Sequence, residues 1–288
     1  MKSKTYAISL TVMASLLWGT SFVVNKIGLS YVDAYTFSFL RLLIASIAVI
    51  VVAIPMRRVQ VSLFKNRTVW ALGIFNAAGF ILQYVGMTYT TASKSSLLVD
   101  SDVIVVALLS WLIFKEHFSN PKKAAVAMGF LGAALLATSG NLNELLGGEL
   151  MGDILVFLAG VSWAFFMVCN KAMVSKGTDI VAMTVSVEVL TSVFLLPFTI
   201  LLGTTSVTAI PALGWATLVF TGVFCSTVAY FLFTLGLKGL TVTTSAIVLL
   251  LEVLWALLLS FTLLGESFTS LAAIGAALIL VSILLASK

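Results

Sequence analysis

The sequence contains very little charge for a protein of its size. Charged residues make up 9% of the 288 residues, whereas hydrophobic residues make up 61%. An ordinary soluble domain is about 25% charged, because polar side chains must cover its surface. The few charges are also grouped, and long apolar runs separate the groups. These features exclude a soluble globular fold and indicate a protein embedded in a lipid bilayer.

Histidine and cysteine are nearly absent. His117 is the one histidine, and Cys169 and Cys225 both lie inside apolar runs, so we expect buried thiols rather than a disulfide framework. The residue types that hold a metal ion do not cluster, and the phosphate-binding pattern G-x-x-x-x-G-K-[ST] does not occur. We therefore expect no metal, no cofactor and no enzymatic activity. The net charge of +5 comes from basic residues at the ends of the runs, which does not indicate a nucleic-acid partner.

Ten apolar runs are long enough to cross a membrane, since a helix needs about 20 residues to span a hydrocarbon core of about 30 Å. The runs do not alternate every second residue as barrel strands do. The predicted fold class is an all-α integral membrane protein with ten transmembrane helices. These are 5–27, 34–54, 68–90, 94–114, 122–140, 152–173, 179–202, 211–235, 242–264 and 268–287. The first run lacks a small-residue cleavage site, so we expect it to be retained.

The basic residues predict the orientation of these helices. Thirteen lysines and arginines fall on the side that holds both termini, and only Lys26 and Lys94 fall on the other side. Basic residues are enriched in cytoplasmic loops. We therefore expect a multi-pass protein of the cytoplasmic membrane with both termini in the cytoplasm.

The two halves of the chain resemble each other at offsets of 145 to 150 residues. The matched residues include Trp18 and Trp163, Asn25-Lys26 and Asn170-Lys171, and Asp102 and Glu252. We expect a first five-helix repeat in 1–140, a connecting loop outside the cytoplasm in 141–151 and a second repeat in 152–288. Five helices per repeat make the repeats inverted, which is typical of transporters that work by alternating access around a site near the midplane.

Several motifs resemble the EamA-type family of the drug/metabolite transporter superfamily. They are the segment Trp18-Gly19-Thr20-Ser21-Phe22, Arg41 in the second helix, and Glu116 and Glu266 closing the fourth and ninth helices. The resemblance covers nearly the whole chain as two units. It implies ten helices, a central cavity, and export of small metabolites such as amino acids. The chain departs from the family pattern where Val103 and Val253 replace a proline that is often found in mid-helix.

Five ionisable residues lie within the predicted helices. They are Arg41, Asp100, Asp102, Glu188 and Glu252. Exposing all five to lipid costs roughly 12–18 kcal/mol, so most of them must face a cavity or one another. Asp100 and Asp102 are about 200° apart on a continuous helix, which predicts that only one of them faces the cavity, and the match with Glu252 favours Asp102. Arg41 anchors a substrate carboxylate or serves as an internal counter-ion.

Neutral polar and aromatic residues complete the candidate site. Asn76 and Gln83 lie seven residues apart on one face of the third helix, beside Tyr84, and Trp18 and Trp163 are matched by the repeat. Each of these residues, like each carboxylate, has a purely structural alternative as a packing or hydrogen-bonding group. We expect Glu116 and Glu266, at opposite faces of the membrane, each to cap a helix end or form a pair at the interface instead, and the glycines and alanines of the fifth and tenth helices to form packing surfaces.

These features favour a secondary transporter of small amine-containing metabolites such as amino acids, with export coupled to protons. Carboxylates in a low-dielectric cavity are able to bind and release protons near neutral pH. An uncoupled uniporter is the alternative, and a channel or membrane-embedded enzyme is less well supported. The expected partners are the small-molecule substrate, the lipid bilayer and protons as the coupling ion, and the protein is expected to be a monomer or a homodimer.

Overall fold

The structure, a computed structural model, describes residues 4–138, 150–264 and 269–287, and in this part of the chain the regular elements are helices. Most of the predicted connecting loop 141–151, and Glu266, lie outside the described residues. The helices are α1 (Lys4–Gly28), α2 (Ala34–Ala53), α3 (Arg67–Met87), α4 (Ala92–Asp100), α5 (Asp102–Phe114), α6 (Asn120–Thr138), α7 (Leu150–Ser175), α8 (Ile180–Leu202), α9 (Ala212–Phe220), α10 (Ala229–Gly236), α11 (Val242–Leu249), α12 (Leu251–Leu264) and α13 (Ser270–Ser287). Two short 3₁₀ turns, Val61–Lys65 and Val207–Ala209, precede α3 and α9.

Eight segments of the described chain are long and apolar enough to cross a membrane. They are α1, α2, α3, α4 with α5, α7, α8, α9 through α10, and α11 with α12. Large apolar side chains such as Val51, Trp111 and Leu201 are exposed on their outer surfaces. A soluble protein rarely leaves such continuous apolar surface open, so the outside of this helix bundle is suited to lipid.

The fourth and ninth predicted helices are interrupted rather than continuous. The first interruption lies at Ser101, between α4 and α5, and the second at Leu250, between α11 and α12. Neither position carries a proline or a glycine. In each case the helix that follows carries an acid in its first turn, Asp102 in α5 and Glu252 in α12. A carboxylate is stabilised there by the positive end of the helix dipole.

The eighth predicted helix also departs from regular α geometry. A π-helical stretch, Thr221–Val228, lies between α9 and α10. Such stretches occur mostly where a helix adapts to a functional site or to tertiary contacts. Here the stretch packs on α2, and a side chain at Gly222 would come within 2.8 Å of the Arg41 carbonyl oxygen.

The helices α2 and α8 pack against each other in opposite directions. Asp33, the N-cap of α2, accepts hydrogen bonds from the backbone of Thr204 (3.0 Å) and Thr205 (2.8 Å) after the end of α8. At the other end, Arg58 pairs at 2.5 Å with Asp179, the N-cap of α8. These contacts at both ends hold the two helices antiparallel.

The helices α6 and α13 pack closely along small residues. A Cβ at Gly132 would lie 2.8 Å from the Gly275 carbonyl oxygen, and one at Gly129 would lie 3.0 Å from Ser282 Oγ. Only glycine permits backbones to approach this closely. The pair lies beside the interrupted helices and links the two halves of the chain.

Candidate functional site

An interior cavity lies between the two halves of the chain. Its volume is about 100 Å³. Eight of the nine residues predicted from the sequence line it, and Tyr84 alone is absent from its wall. The lining residues are Trp18, Ser21, Phe22, Arg41, Leu42, Asn76, Phe80, Gln83, Val99, Asp100, Asp102, Trp163, Phe166, Met167, Glu188, Cys225, Ser226, Tyr230, Phe233, Leu249 and Glu252.

Arg41 is 2% exposed and is held in one orientation by neutral partners. Its Nε donates to Ser226 Oγ (2.9 Å) and its Nη1 donates to Asn25 Oδ1 (3.1 Å) and to Tyr84 Oη. The guanidinium carbon also lies 4.9 Å from the centre of the Phe80 ring, a cation–π contact. Nη2 has no partner among the described residues and Arg41 forms no ion pair with any of them. The arginine is therefore positioned by the protein but not neutralised by a bonded carboxylate.

Asp100, Asp102 and Glu252 face the same cavity from the two interrupted helices; we call these three residues the acidic cluster. The expectation that Asp100 and Asp102 point to opposite sides is wrong, because the interruption at Ser101 breaks the continuous helical spacing on which it depended. The three carboxyl groups are close enough to repel one another electrostatically. None of them forms a hydrogen bond with a described residue.

Glu188 lines the cavity from α8 and is 2% exposed. It is within electrostatic range of Arg41 but does not bond to it. Its Oε2 atom and the nearby Tyr230 Oη are buried and have no hydrogen-bond partner in the part of the chain that the structure describes. A buried carboxyl group without a partner is costly, so Glu188 requires a proton or a ligand.

The two tryptophans and the polar residues of α3 form the cavity wall. Trp18 Nε1 donates to the Cys225 carbonyl oxygen of the π-helical stretch at 2.7 Å. Trp163 Nε1 donates to Asn76 Oδ1 at 3.2 Å, and Asn76 Nδ2 donates in turn to Thr191 Oγ1 at 3.1 Å. Gln83 is buried yet makes no hydrogen bond with a described residue. Its amide is free to bind a ligand, whereas the amide of Asn76 is used to position Trp163.

Two glycines let helices approach the site. A Cβ at Gly19 would lie 2.7 Å from the Glu252 carbonyl oxygen, so this residue brings α1 against the second interruption. A Cβ at Gly79 would lie 2.7 Å from the indole of Trp163. Gly19 is part of the motif on which the family resemblance was based, and this close approach is a physical reason for a glycine there.

Residues that the sequence did not identify include Phe80, Ser226 and Tyr230. Phe80 lies four residues after Asn76 and three before Gln83, so the helical spacing of α3 contained a signal for it. Ser226 reaches Arg41 from the π-helical stretch, and no sequence pattern announces that stretch. Glu116, expected at the interface, pairs with Lys122 and accepts from Thr243 at 3.1 Å, away from the cavity.

The arrangement suits a ligand that carries both signs of charge. Guanidinium and amide donors are available for an anionic group, and carboxyl groups are available for an amine or a proton. No group of three histidine, cysteine or acidic side chains in the described ranges is placed to hold a metal ion. Aromatic rings from both halves enclose the space between these polar groups.

Comparison with known proteins gives a consistent assignment. The chain is 28% identical to an uncharacterized transporter of Archaeoglobus fulgidus, over 96% of this chain and 94% of that protein. It is 23% identical to the uncharacterized transporter YyaM of Bacillus subtilis, over 95% and 90%. A solved crystal structure shares the fold, with a TM-score of 0.80 over 99% of this chain and 97% of the other, at 17% identity.

The model of the EamA-like transporter family matches the chain twice, over residues 5–138 and 150–288. The two matches cover the two halves of the helix bundle that enclose the cavity. Together with the apolar outer surface, they indicate a multi-pass membrane transporter rather than an enzyme. The chain belongs to the EamA-like transporter family, within the drug/metabolite transporter superfamily.

Proposed function

We propose that this chain is a secondary transporter that exports a small amine-containing metabolite, such as an amino acid, across the cytoplasmic membrane by alternating access coupled to protons. The observation that carries this function is the cavity, where four carboxyl groups and one guanidinium group lack ionic partners among the described residues. An amine bound by the carboxyl groups compensates their charge when the cavity is loaded. Protons do so when it is empty.

Contacts between matched residues support an inverted repeat. Ser46 Oγ and Ser192 Oγ lie 3.0 Å apart, and the two serines are 146 residues apart in the sequence. Asp33 and Asp179 have the same offset and cap α2 and α8. Two antiparallel helices that contact each other through residues at equivalent positions of the two repeats are related by a two-fold axis perpendicular to both helices. If α2 and α8 cross the membrane, that axis lies in the membrane plane.

Two further sets of contacts have the same symmetry. Lys26 Nζ donates to the carbonyl oxygens of Met87 and Thr90, and Lys171 Nζ donates to those of Leu237 and Leu240, each acceptor 150 residues further on. Between α6 and α13, Gly129 meets Ser282 and Gly132 meets Ile279. These contacts are reciprocal at an offset of 150, as expected for a two-fold interface. We propose that α6 and α13 also cross the membrane, which gives ten spans and places both termini in the cytoplasm.

Most residues that line the cavity occupy equivalent positions in the two halves of the chain. Eighteen of its twenty-one lining residues form nine pairs at offsets of 145 to 150. The pairs are Trp18 and Trp163, Ser21 and Phe166, Phe22 and Met167, Leu42 and Glu188, Asn76 and Ser226, Phe80 and Tyr230, Gln83 and Phe233, Val99 and Leu249, and Asp102 and Glu252. A site on the axis between two inverted repeats is the location from which a substrate is reached in turn from each side.

Transport in proteoliposomes tests this function. Vesicles loaded with a radiolabelled amino acid mixture and an internal pH dye are diluted into medium at pH 6 or pH 8. Proton-coupled export predicts faster amino acid efflux into the acidic medium, together with acidification of the lumen. Efflux without either pH effect identifies the alternative uniporter. Steady ionic currents in a planar bilayer, or no movement of any amino acid or amine, contradict the proposed function.

A further inference from the structure

We infer that the preferred substrate is an amino acid with a cationic side chain, held by its carboxylate at Arg41 and by its two cationic groups at Glu188 and at the acidic cluster. Because this inference rests on the transport proposed above, it concerns which small molecule fills the cavity. Three features of the cavity carry it: its fixed charge, the free donors near Arg41, and the wall between the charged groups.

The charge of the cavity favours a substrate with more than one cationic group. Four carboxyl groups face one guanidinium group, so the fixed charges total −3 when all of them are ionised. A neutral zwitterion leaves this total unchanged, whereas a basic amino acid adds one positive charge. The carboxyl groups also form two sets, since Glu252 is within electrostatic range of Asp100 and Asp102, whereas the charged neighbour of Glu188 is Arg41. A substrate with two cationic groups is able to place one at each set.

Arg41 requires that the substrate also carry an anion. Its Nε and Nη1 atoms are used by Ser226, Asn25 and Tyr84, and Nη2 remains as a free donor at the wall of the cavity. A guanidinium that is 2% exposed and lacks a bonded carboxylate is a site for an external one. The free amide of Gln83 adds a second donor on the same cavity wall. A diamine without a carboxylate leaves these donors unpaired, and unpaired buried groups discriminate strongly against such a ligand.

The wall between the charged groups suits a methylene chain. The indoles of Trp18 and Trp163 are fixed by their own hydrogen bonds to the protein, and both rings line the cavity, where they offer apolar surface. Phe80 and Phe233 continue this surface. Long cationic side chains bury their stems against such surfaces while their heads reach polar groups.

Three ligands that differ by one group test the inference. L-lysine has all three charged groups, L-norleucine lacks the side-chain ammonium, and cadaverine lacks the carboxylate. Binding to the purified full-length protein is measured by isothermal titration calorimetry. We expect lysine to bind at least about tenfold more tightly than either analogue, because each analogue leaves buried charged groups unpaired.

Variants locate the effect within the cavity. Asp100→Asn and Asp102→Asn, singly and together, should reduce the preference for lysine over norleucine. Asp179→Asn is the matched control, since asparagine also caps a helix and the exposed pair with Arg58 lies outside the cavity. The control should keep the wild-type preference. Elution as a single species in size-exclusion chromatography shows which variants are folded.

Each other outcome overturns the inference. Equal binding of norleucine and lysine would be compatible with the proposed amino acid transport, but it would show that the acidic cluster does not recognise the side-chain ammonium group. Equal or tighter binding of cadaverine removes the role of Arg41 and identifies a polyamine site. If none of the three binds, the cationic amino acid is wrong, and the proteoliposome assay with the amino acid mixture decides separately whether the proposed function fails as well.

Discussion

At Gly19, α1 lies close against the second helix interruption, and replacing this glycine with alanine is a direct structural test of the site. The added Cβ would lie 2.6 Å from Trp255 Cβ and 2.7 Å from the Glu252 carbonyl oxygen. Carbon atoms in contact are normally about 3.5–4.0 Å apart, so α1 and α12 must separate by about 1 Å. The Glu252 oxygen is a backbone atom, so a rotation of its side chain cannot relieve the contact.

The expected cost of Gly19→Ala follows from this overlap. Overpacking of this kind costs about 1–3 kcal/mol, and the higher helix propensity of alanine recovers up to about 1 kcal/mol. The net loss of about 1–2 kcal/mol lowers the melting temperature by roughly 2–3 °C for a chain of this length. The shift also moves the backbone of Glu252, so substrate affinity should fall about tenfold or more, which corresponds to about 1.4 kcal/mol.

Thermal melting of the purified protein and isothermal titration calorimetry measure these two effects, and the proteoliposome assay follows transport. Thr20→Ala is the control, because Thr20 is adjacent, bonds only to the Leu16 carbonyl oxygen of its own helix and lies outside the cavity lining. Its melting temperature and transport should remain near those of the wild type. A Gly19→Ala protein that melts and transports like the wild type would refute the close approach of α1 to Glu252.

Further predictions concern the cavity, a helix cap and the topology. Glu252→Gln keeps the shape of the side chain but cannot titrate, so transport should persist without its dependence on pH if Glu252 carries the coupling proton; unchanged pH dependence would exclude that role. Trp163→Phe removes the bond to Asn76 and should weaken substrate binding in calorimetry by about threefold to tenfold, whereas Trp111→Phe, on the exposed surface, should not. Partial burial favours the neutral form of Asp33, but hydrogen bonds from Thr36 and Thr205 outweigh it and lower its pKa. The stabilising effect of ionised Asp33 should therefore be present above the unfolded pKa of about 3.9 and be lost as pH falls through the folded pKa. The melting temperature of Asp33→Asn should accordingly depend less on pH below about 4 than that of the wild type. A cysteine at Ser206, in a background without Cys169 and Cys225, should react with an impermeant thiol reagent on intact cells; protection until lysis would reverse the proposed orientation.

The sequence singled out most of the charged residues that line the cavity because charge in a membrane is costly. Arg41, Glu188 and Glu252 stood out since lipid cannot accommodate them, and all three line the cavity. The helical spacing of Asn76 and Gln83 placed them correctly on one face of α3. Tyr84 was predicted as a lining residue, but it instead holds Arg41 from behind the cavity wall.

The helix interruptions at Ser101 and Leu250 could not be read from the sequence. Neither position carries proline or glycine, and the apolar pattern runs through both. The interruptions depend on tertiary contacts instead. Gly160 lets the backbone of α7 approach the Val99 carbonyl oxygen beside the interruption at Ser101, since a Cβ at Gly160 would lie 2.5 Å from that oxygen. Gly19 lets the backbone of α1 approach the interruption at Leu250 in the same way. The π-helical stretch likewise depends on Gly222 lying against α2, a contact between residues far apart in the chain.

If the two halves are inverted repeats, as proposed above, the differences between paired lining residues let a symmetric frame bind an asymmetric substrate. Leu42 corresponds to Glu188, and Gln83 corresponds to Phe233. In each pair, one half of the chain has a polar side chain where the other half has an apolar one. Arg41 and Asp100 have no charged mate at all. If the two repeats exchange conformations during transport, the frame returns to an equivalent arrangement, but these unmatched groups do not change places. A substrate with distinct acidic and basic groups is then held in one orientation throughout, and the carboxyl groups at the helix interruptions are exposed to each side of the membrane in turn.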